Sequence, residues 1–119
     1  MIFSLYNNGQ QPARRKGWDD VELLNQAQAM DGALKDLKDE LHRHPELSFQ
    51  EKRTTALLQE KLTQLGLELV DLGMETGVVA LLRGGKPGGT VALRADIDAI
   101  AQQEAAHDGA LSCMDGVMH

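Results

Sequence analysis

Apolar residues recur at helical spacing in the first half of the chain. Val21, Leu24, Ala27, Leu34, Leu37 and Leu41 stand three, four or seven residues apart with polar residues between them, which makes one face of a helix apolar. The spacing predicts a helix from Asp19 to just before Pro45, because the residue preceding a proline is driven out of the helical region. Gly32 is its weak point. "HPELS" then reads as a turn. Ser48 and Glu51 have the spacing of a capping box, and Phe49, Ala56, Leu57, Leu62 and Leu65 continue at helical intervals until Gly66. A second helix is expected over roughly 49–65.

Beyond Gly66 the period shortens. Leu67, Leu69 and Leu72 alternate loosely, and "GVVALLRG" and "TVALRAD" are short apolar runs bounded by glycines, so three strands are expected. "GGKPGG", 84–89, suits a hairpin between the last two. After Asp98 the pattern lapses into a loop or short helix. Residues 1–18 are rich in Asn, Gly, Gln and Pro, with an apolar patch only at Ile2 to Leu5 and a basic cluster at Arg14-Arg15-Lys16. They read as a flexible leader, and residues 19–119 as the structured part.

With 119 residues the chain suits one small domain. Hydrophobic residues make up 42% but aromatics only 3%, so the core is expected to be aliphatic. A net charge of −6 with one short basic cluster argues against nucleic acid, whose phosphates need a basic stripe. The single cysteine, Cys113, excludes an internal disulfide framework and fits a reducing compartment, with the cytoplasm as the expectation. There is no signal-peptide pattern and no run of the roughly 20 apolar residues that span a bilayer, so no membrane association is expected.

Chemistry concentrates where the last strand ends. In "LRADIDAIAQQE" two carboxylates, Asp96 and Asp98, follow an apolar run. Such a pair is costly unless a metal, a cation or several donors answer it. The plainer reading is that they cap a helix or accept turn hydrogen bonds. Arg94 is expected to pair with one of them. His42, His44, His107, Cys113 and His119 could together supply nitrogen and sulfur donors to zinc, but His42 and His44 close a helix, where histidine interacts well with the terminal carbonyls. A structural role is expected for both, and an inert thiol for Cys113. The glycines at 84, 85, 88 and 89 lack the Gly-Lys-Ser/Thr ending of a phosphate loop.

"LHRHPELSFQEKRT", "TGVVALLRGG", "GGTVALRADIDAI" and "DGVMH" occur in that order. Together they resemble the amino-terminal part of metal-dependent amidohydrolases that include hippurate hydrolases, aminoacylases and auxin-conjugate hydrolases, over about Leu34 to His119. "DGALSCMDGVMH" is also similar to the aminobenzoyl-glutamate hydrolase branch. The resemblance implies an α/β fold, two amino-terminal helices packed on a mixed sheet with three strands present, as an incomplete part of a larger metallopeptidase-like catalytic domain. It implies hydrolysis of the amide bond of an N-acyl or N-aroyl amino acid by the longer protein, with zinc or manganese polarising the carbonyl and activating water, and a possible homodimer.

In that family "GVMH" is followed by Ala-Cys-Gly-His-Asp, so the metal ligands are expected just after His119 and none within this chain. Related peptidases end the strand in His-x-Asp, and Asp96 and Asp98 occupy those places. The resemblance thus implies that Asp98 lies behind the metal and orients one of its ligands. Ile100-Ala101 stands where relatives have Leu-Pro, which leaves the local geometry open. The 119 residues alone are expected to be inactive; the alternative is a non-catalytic module that binds a partner or self-associates through an exposed sheet edge.

Overall fold

The computed structural model describes residues 2–7, 20–106, 109 and 111–119; most of the expected leader, and His107, lie outside them. The elements run β1 (Ile2–Asn7), α1 (Asp20–Ala29), α2 (Asp31–Arg43), α3 (Lys52–Gln64), β2 (Glu68–Leu69), β3 (Val79–Leu82) and β4 (Gly89–Arg94). The class is α/β, as expected, and the sheet is mixed.

The expected first helix is divided at Met30, whose N–H bonds to the Ala27 carbonyl at 3.1 Å and whose backbone (φ −88°, ψ −11°) starts α2. Restarting at Asp31 places an acid in the first turn, where the helix dipole favours it, and moves Gly32 out of a helix interior. α2 stops at Arg43, and Pro45 is fully buried beyond it.

α3 starts at Lys52, three residues later than expected, and Ser48 and Glu51 form no capping box. Phe49 sits in the left-handed region at φ 63°, and Glu51 makes no side-chain cap. Glu46 does the capping. The chain turns back at Leu47–Gln50, with Gln50 N–H bonded to the Leu47 carbonyl at 2.9 Å. The Glu46 carboxylate then accepts the N–H of Arg53 at 3.0 Å and of Thr54 at 2.7 Å. Burial pushes this carboxyl up, but the N–H groups of Thr54 and Arg53 outweigh it and hold its pKa below the ordinary value. At the other end Gly66 (φ 75°) donates to Thr63, and Leu67 donates to Leu62. This paired closure needs the left-handed conformation glycine adopts freely.

One face of α3, carrying Thr54, Thr55, Leu58 and Leu62, is buried. Leu58 and Leu62 form the core with Val78 and Ala80, and Leu67 and Ile97 pack against it. The Thr55 hydroxyl oxygen accepts the Gly77 N–H at 2.8 Å, which satisfies both groups. Leu65 and Ala56, expected on the apolar face, are exposed.

The sheet order is β2-β3-β1-β4. Ile2–Asn7, expected within a flexible leader, is a central strand, parallel to β3 and antiparallel to β4. Its Ile, Phe, Leu and Tyr are strand-forming residue types, and it gives both neighbours' backbones hydrogen-bond partners. The expected β3–β4 hairpin is therefore not formed. The 83–88 connection skips one strand, a step of about 9–10 Å that six residues span easily. No helix of the described residues is long and apolar enough to cross a membrane.

Candidate functional site

The two aspartates leave β4 into different surroundings. Asp96 is exposed and its carboxylate pairs with the Arg94 guanidinium, an arrangement that salt screens and that contributes little. Asp98 is half-buried and joins no hydrogen bond or ion pair among the described residues. Of the pair, it keeps a carboxylate available.

The backbone around Asp98 is pinned on two sides. The Ala99 N–H bonds to the Glu46 carbonyl at 2.8 Å, and Leu47 and Ala99 form a parallel bridge. Ile100 and Met118 exchange N–H···O bonds of 2.9 and 3.1 Å, and His119 Nε2 lies 3.2 Å from the Ile97 carbonyl. Residues 97–100 and 117–119 thus form one small wall, with Ala99 and Val117 buried in it. No helix forms after Asp98 among the described residues.

His42 holds this wall to α2. Its Nδ1 is 2.7 Å from the main-chain oxygen of His119, and its Nε2 is 2.5 Å from Glu104 Oε1. A carbonyl oxygen only accepts, so Nδ1 carries a proton, and Nε2 faces a carboxylate. The bonds to Glu104 and to the His119 oxygen favour the protonated ring and raise its pKa above the ordinary histidine value. The other Glu104 oxygen accepts the Ser112 N–H at 2.8 Å. The structural role expected for His42 holds, with long-range partners instead of the carbonyls of its own helix.

The linkage has a definite sign. A group whose pKa is raised on folding stabilises fully below its unfolded value, about 6.5 for histidine, and this contribution is lost as pH rises through the folded value. Urea unfolding of the chain should show stability falling above about pH 6.5, and His42→Gln should flatten that slope. An unchanged slope in the variant would assign the dependence elsewhere.

His44, at the end of α2, does not join this pair. Its Nδ1 is 3.5 Å from Cys113 Sγ, a neighbour the local sequence around Cys113 did not disclose. Among the described residues, no three His, Cys, Asp or Glu side chains converge to hold a metal ion. His42 has both ring nitrogens committed as donors, so Asp98 is a single available carboxylate. These side chains alone do not make up a metal's donor set.

Glu104 and Glu46 are the site residues that sequence reasoning missed. Glu104 stands 62 positions from His42, beyond any local spacing rule. Glu46 had a local signal, since it lies seven and eight residues before the N–H groups it caps.

No family model matches the chain. It is 39% identical over 99 residues to thermostable carboxypeptidase 2 of Saccharolobus solfataricus, covering 82% of this chain and 25% of that protein. It is 41% identical over 87 residues to an N-acetylcysteine deacetylase of Bacillus subtilis, 72% of this chain and 23% of the relative. With hippurate hydrolase of Campylobacter jejuni it shares 32% over 99 residues, 83% and 26% respectively. Among solved structures it is similar to the YXEP protein of Bacillus subtilis, a dinuclear metal-binding peptidase from the M20 family. The TM-score is 0.70 at 37% identity, over 77% of this chain and 26% of that one. The chain spans about a quarter of the length of these relatives.

Proposed function

Since the homologues of this chain are amidohydrolases and peptidases of the M20 family, we propose that it contributes one wall of the active site of a metal-dependent enzyme hydrolysing the amide bond of N-acyl or N-aroyl amino acids. The observation that carries this reading is the pinned wall of 97–100 against 117–119, with the Asp98 carboxylate beside it, in a fold shared at 37% identity with a dinuclear metal-binding peptidase. Asp98 is a positioning residue. Its carboxylate orients a metal-ligating group that the resemblance places after His119, and carboxylates in that position raise the basicity of the ligand they hold. Asp96, drawn to Arg94, steadies the exit from β4. The metal is zinc or manganese, and the compartment is the cytoplasm.

Residues 1–119 alone should not hydrolyse N-acetyl or N-benzoyl amino acids, because a general base and a complete donor set are needed together. The test is an amide-hydrolysis assay with added zinc or manganese, on this chain alone and on this chain fused after His119 to the corresponding remainder of an M20 relative. Turnover by the fusion only is expected. Turnover by the 119 residues that survives repurification and disappears in Asp98→Ala would overturn the division of labour.

One observation favours a second reading, association through the sheet edge. All six residues of β4 are exposed, among them Val91 and Leu93, and its strand neighbour is β1 on one side. Such an edge pairs readily with another strand.

A further inference from the structure

The sheet has two edges, and they are built differently. β2 is two residues long, and its Glu68 carboxylate holds Arg83 at 2.8 and 3.0 Å. A short, charged edge resists pairing with another strand. β4 is six residues long, without proline or acid, and its register with β1 runs unbroken from Gly89 to Arg94. The one charge on it, Arg94, stands at its end and is engaged by Asp96. Along its open side β4 therefore lacks the charges, prolines and bulges that keep sheet edges from pairing.

Two apolar residues mark the face that this edge leaves open. Phe3 is level with Ala80 on one side and with Leu93 on the other. Leu93, and Val91 two residues before it, thus lie on the face of the sheet that α3 covers at Ala80. At β4 that face is uncovered, and Val91 and Leu93 are 49% and 55% exposed.

We propose that the β4 edge pairs antiparallel with the β4 edge of a second copy of this chain, about a two-fold axis at Ala92. This rests on the reading of association through the sheet edge and names its partner; amide hydrolysis is independent of it. Opposite residues of an antiparallel pair share a face, so a two-fold pairing of identical strands must centre on a residue. Centred on Ala92, Val91 of each copy faces Leu93 of the other, and the four side chains form one apolar strip. Thr90 meets Arg94, and the same register carried past the strand ends brings the exposed Lys86 of one copy toward Asp98 of the other. Centred on Val91 instead, Leu93 would meet Gly89 and lose its apolar partner. The edge is complementary to itself in apolar contact and in charge, as an interface between identical copies requires. A six-residue edge is small beside the roughly 1,600 Å² of a standard interface, so the dimer forms in a concentration-dependent way.

The experiment follows the whole chain by sedimentation equilibrium between about 10 μM and 1 mM. The weight-average mass should rise toward twice the chain's 13.0 kDa. It should stay at the monomer value when Val91→Lys and Leu93→Lys are combined, which sets like charges opposite each other. In a Cys113→Ser background, Ala92→Cys should form a disulfide between copies, because opposite Cα atoms about 4.5–5.5 Å apart lie within disulfide reach. Thr90→Cys should link at least about ten-fold more slowly, since its counterpart in the second copy stands about 14 Å away along the strand. A chain that stays monomeric throughout would overturn the second copy as partner. A mass that rises equally in the double variant would overturn the edge itself as the contact. A dimer abolished by the double variant, in which Ala92→Cys links no faster than Thr90→Cys, would keep association through the edge and overturn the pairing about Ala92.

Discussion

Leu62→Ala is expected to cost about 2–5 kcal/mol of stability, the range for truncating a buried leucine. Leu62 is 4% exposed and shares its cluster with Leu58, Val78 and Ala80, under Leu67 and Ile97. The cluster is small, so a methyl in place of isobutyl leaves a void that few neighbours can close. Its main-chain oxygen also accepts the Leu67 N–H that closes α3, so loosening here reaches the start of β2. Leu65, one turn on and exposed, provides the control, and Leu65→Ala should change stability by less than about 0.5 kcal/mol. Urea unfolding of the two variants checks this, and equal effects would mean that the core does not lie where the structure puts it.

Glu104→Ala is expected to cost about 2–4 kcal/mol at pH 6, because it removes the partner of a charged, largely covered imidazolium and the acceptor of the Ser112 N–H together. The loss should shrink as pH rises through the raised pKa of His42, where the ring gives up its proton and the penalty for an unpaired charge goes with it. Glu104→Gln should lie between wild type and alanine, since an amide oxygen still accepts from either partner but carries no charge. The check is urea unfolding in steps from pH 6 upward. A cost that does not depend on pH would show that the carboxylate acts by packing and not through His42.

Much of this architecture was legible in local pattern. The helical character of α3, the stop at Gly66, the exit before Pro45 and the strand character of Val79–Leu82 and Gly89–Arg94 follow from spacing and from the backbone preferences of proline and glycine, whereas of the apolar face expected for α3 only Leu62 is buried. What escaped depended on distant partners. Ile2–Asn7 is too short to show a period, and its place between β3 and β4 is set by backbone bonds to residues more than 70 positions away. The same insertion removed the hairpin that "GGKPGG" suggested.

The site divides in the same way. Pairing of Arg94 with one of the two aspartates was foreseeable from adjacency, and the structure selects Asp96. The active-site role proposed for Asp98 came from the resemblance of four motifs, not from any spacing rule. His42–Glu104 and His44–Cys113 join residues 62 and 69 positions apart. No periodicity encodes such contacts. The capping by Glu46 was nearer at hand, but the Ser48–Glu51 spacing offered a competing cap that the left-handed turn at Phe49 prevents.

The central claim is that Asp98 positions a metal ligand in an amide-hydrolysing site. The measurement that tests it most directly is metal affinity, by titration with zinc, together with turnover of an N-acyl amino acid, for this chain fused after His119 to the corresponding remainder of an M20 relative and for the Asp98→Ala variant of that fusion. The expected result is a loss of about 10–100-fold in affinity or turnover, with unfolding by urea unchanged within about 0.5 kcal/mol. Full metal affinity and full turnover in the folded variant would contradict the claim.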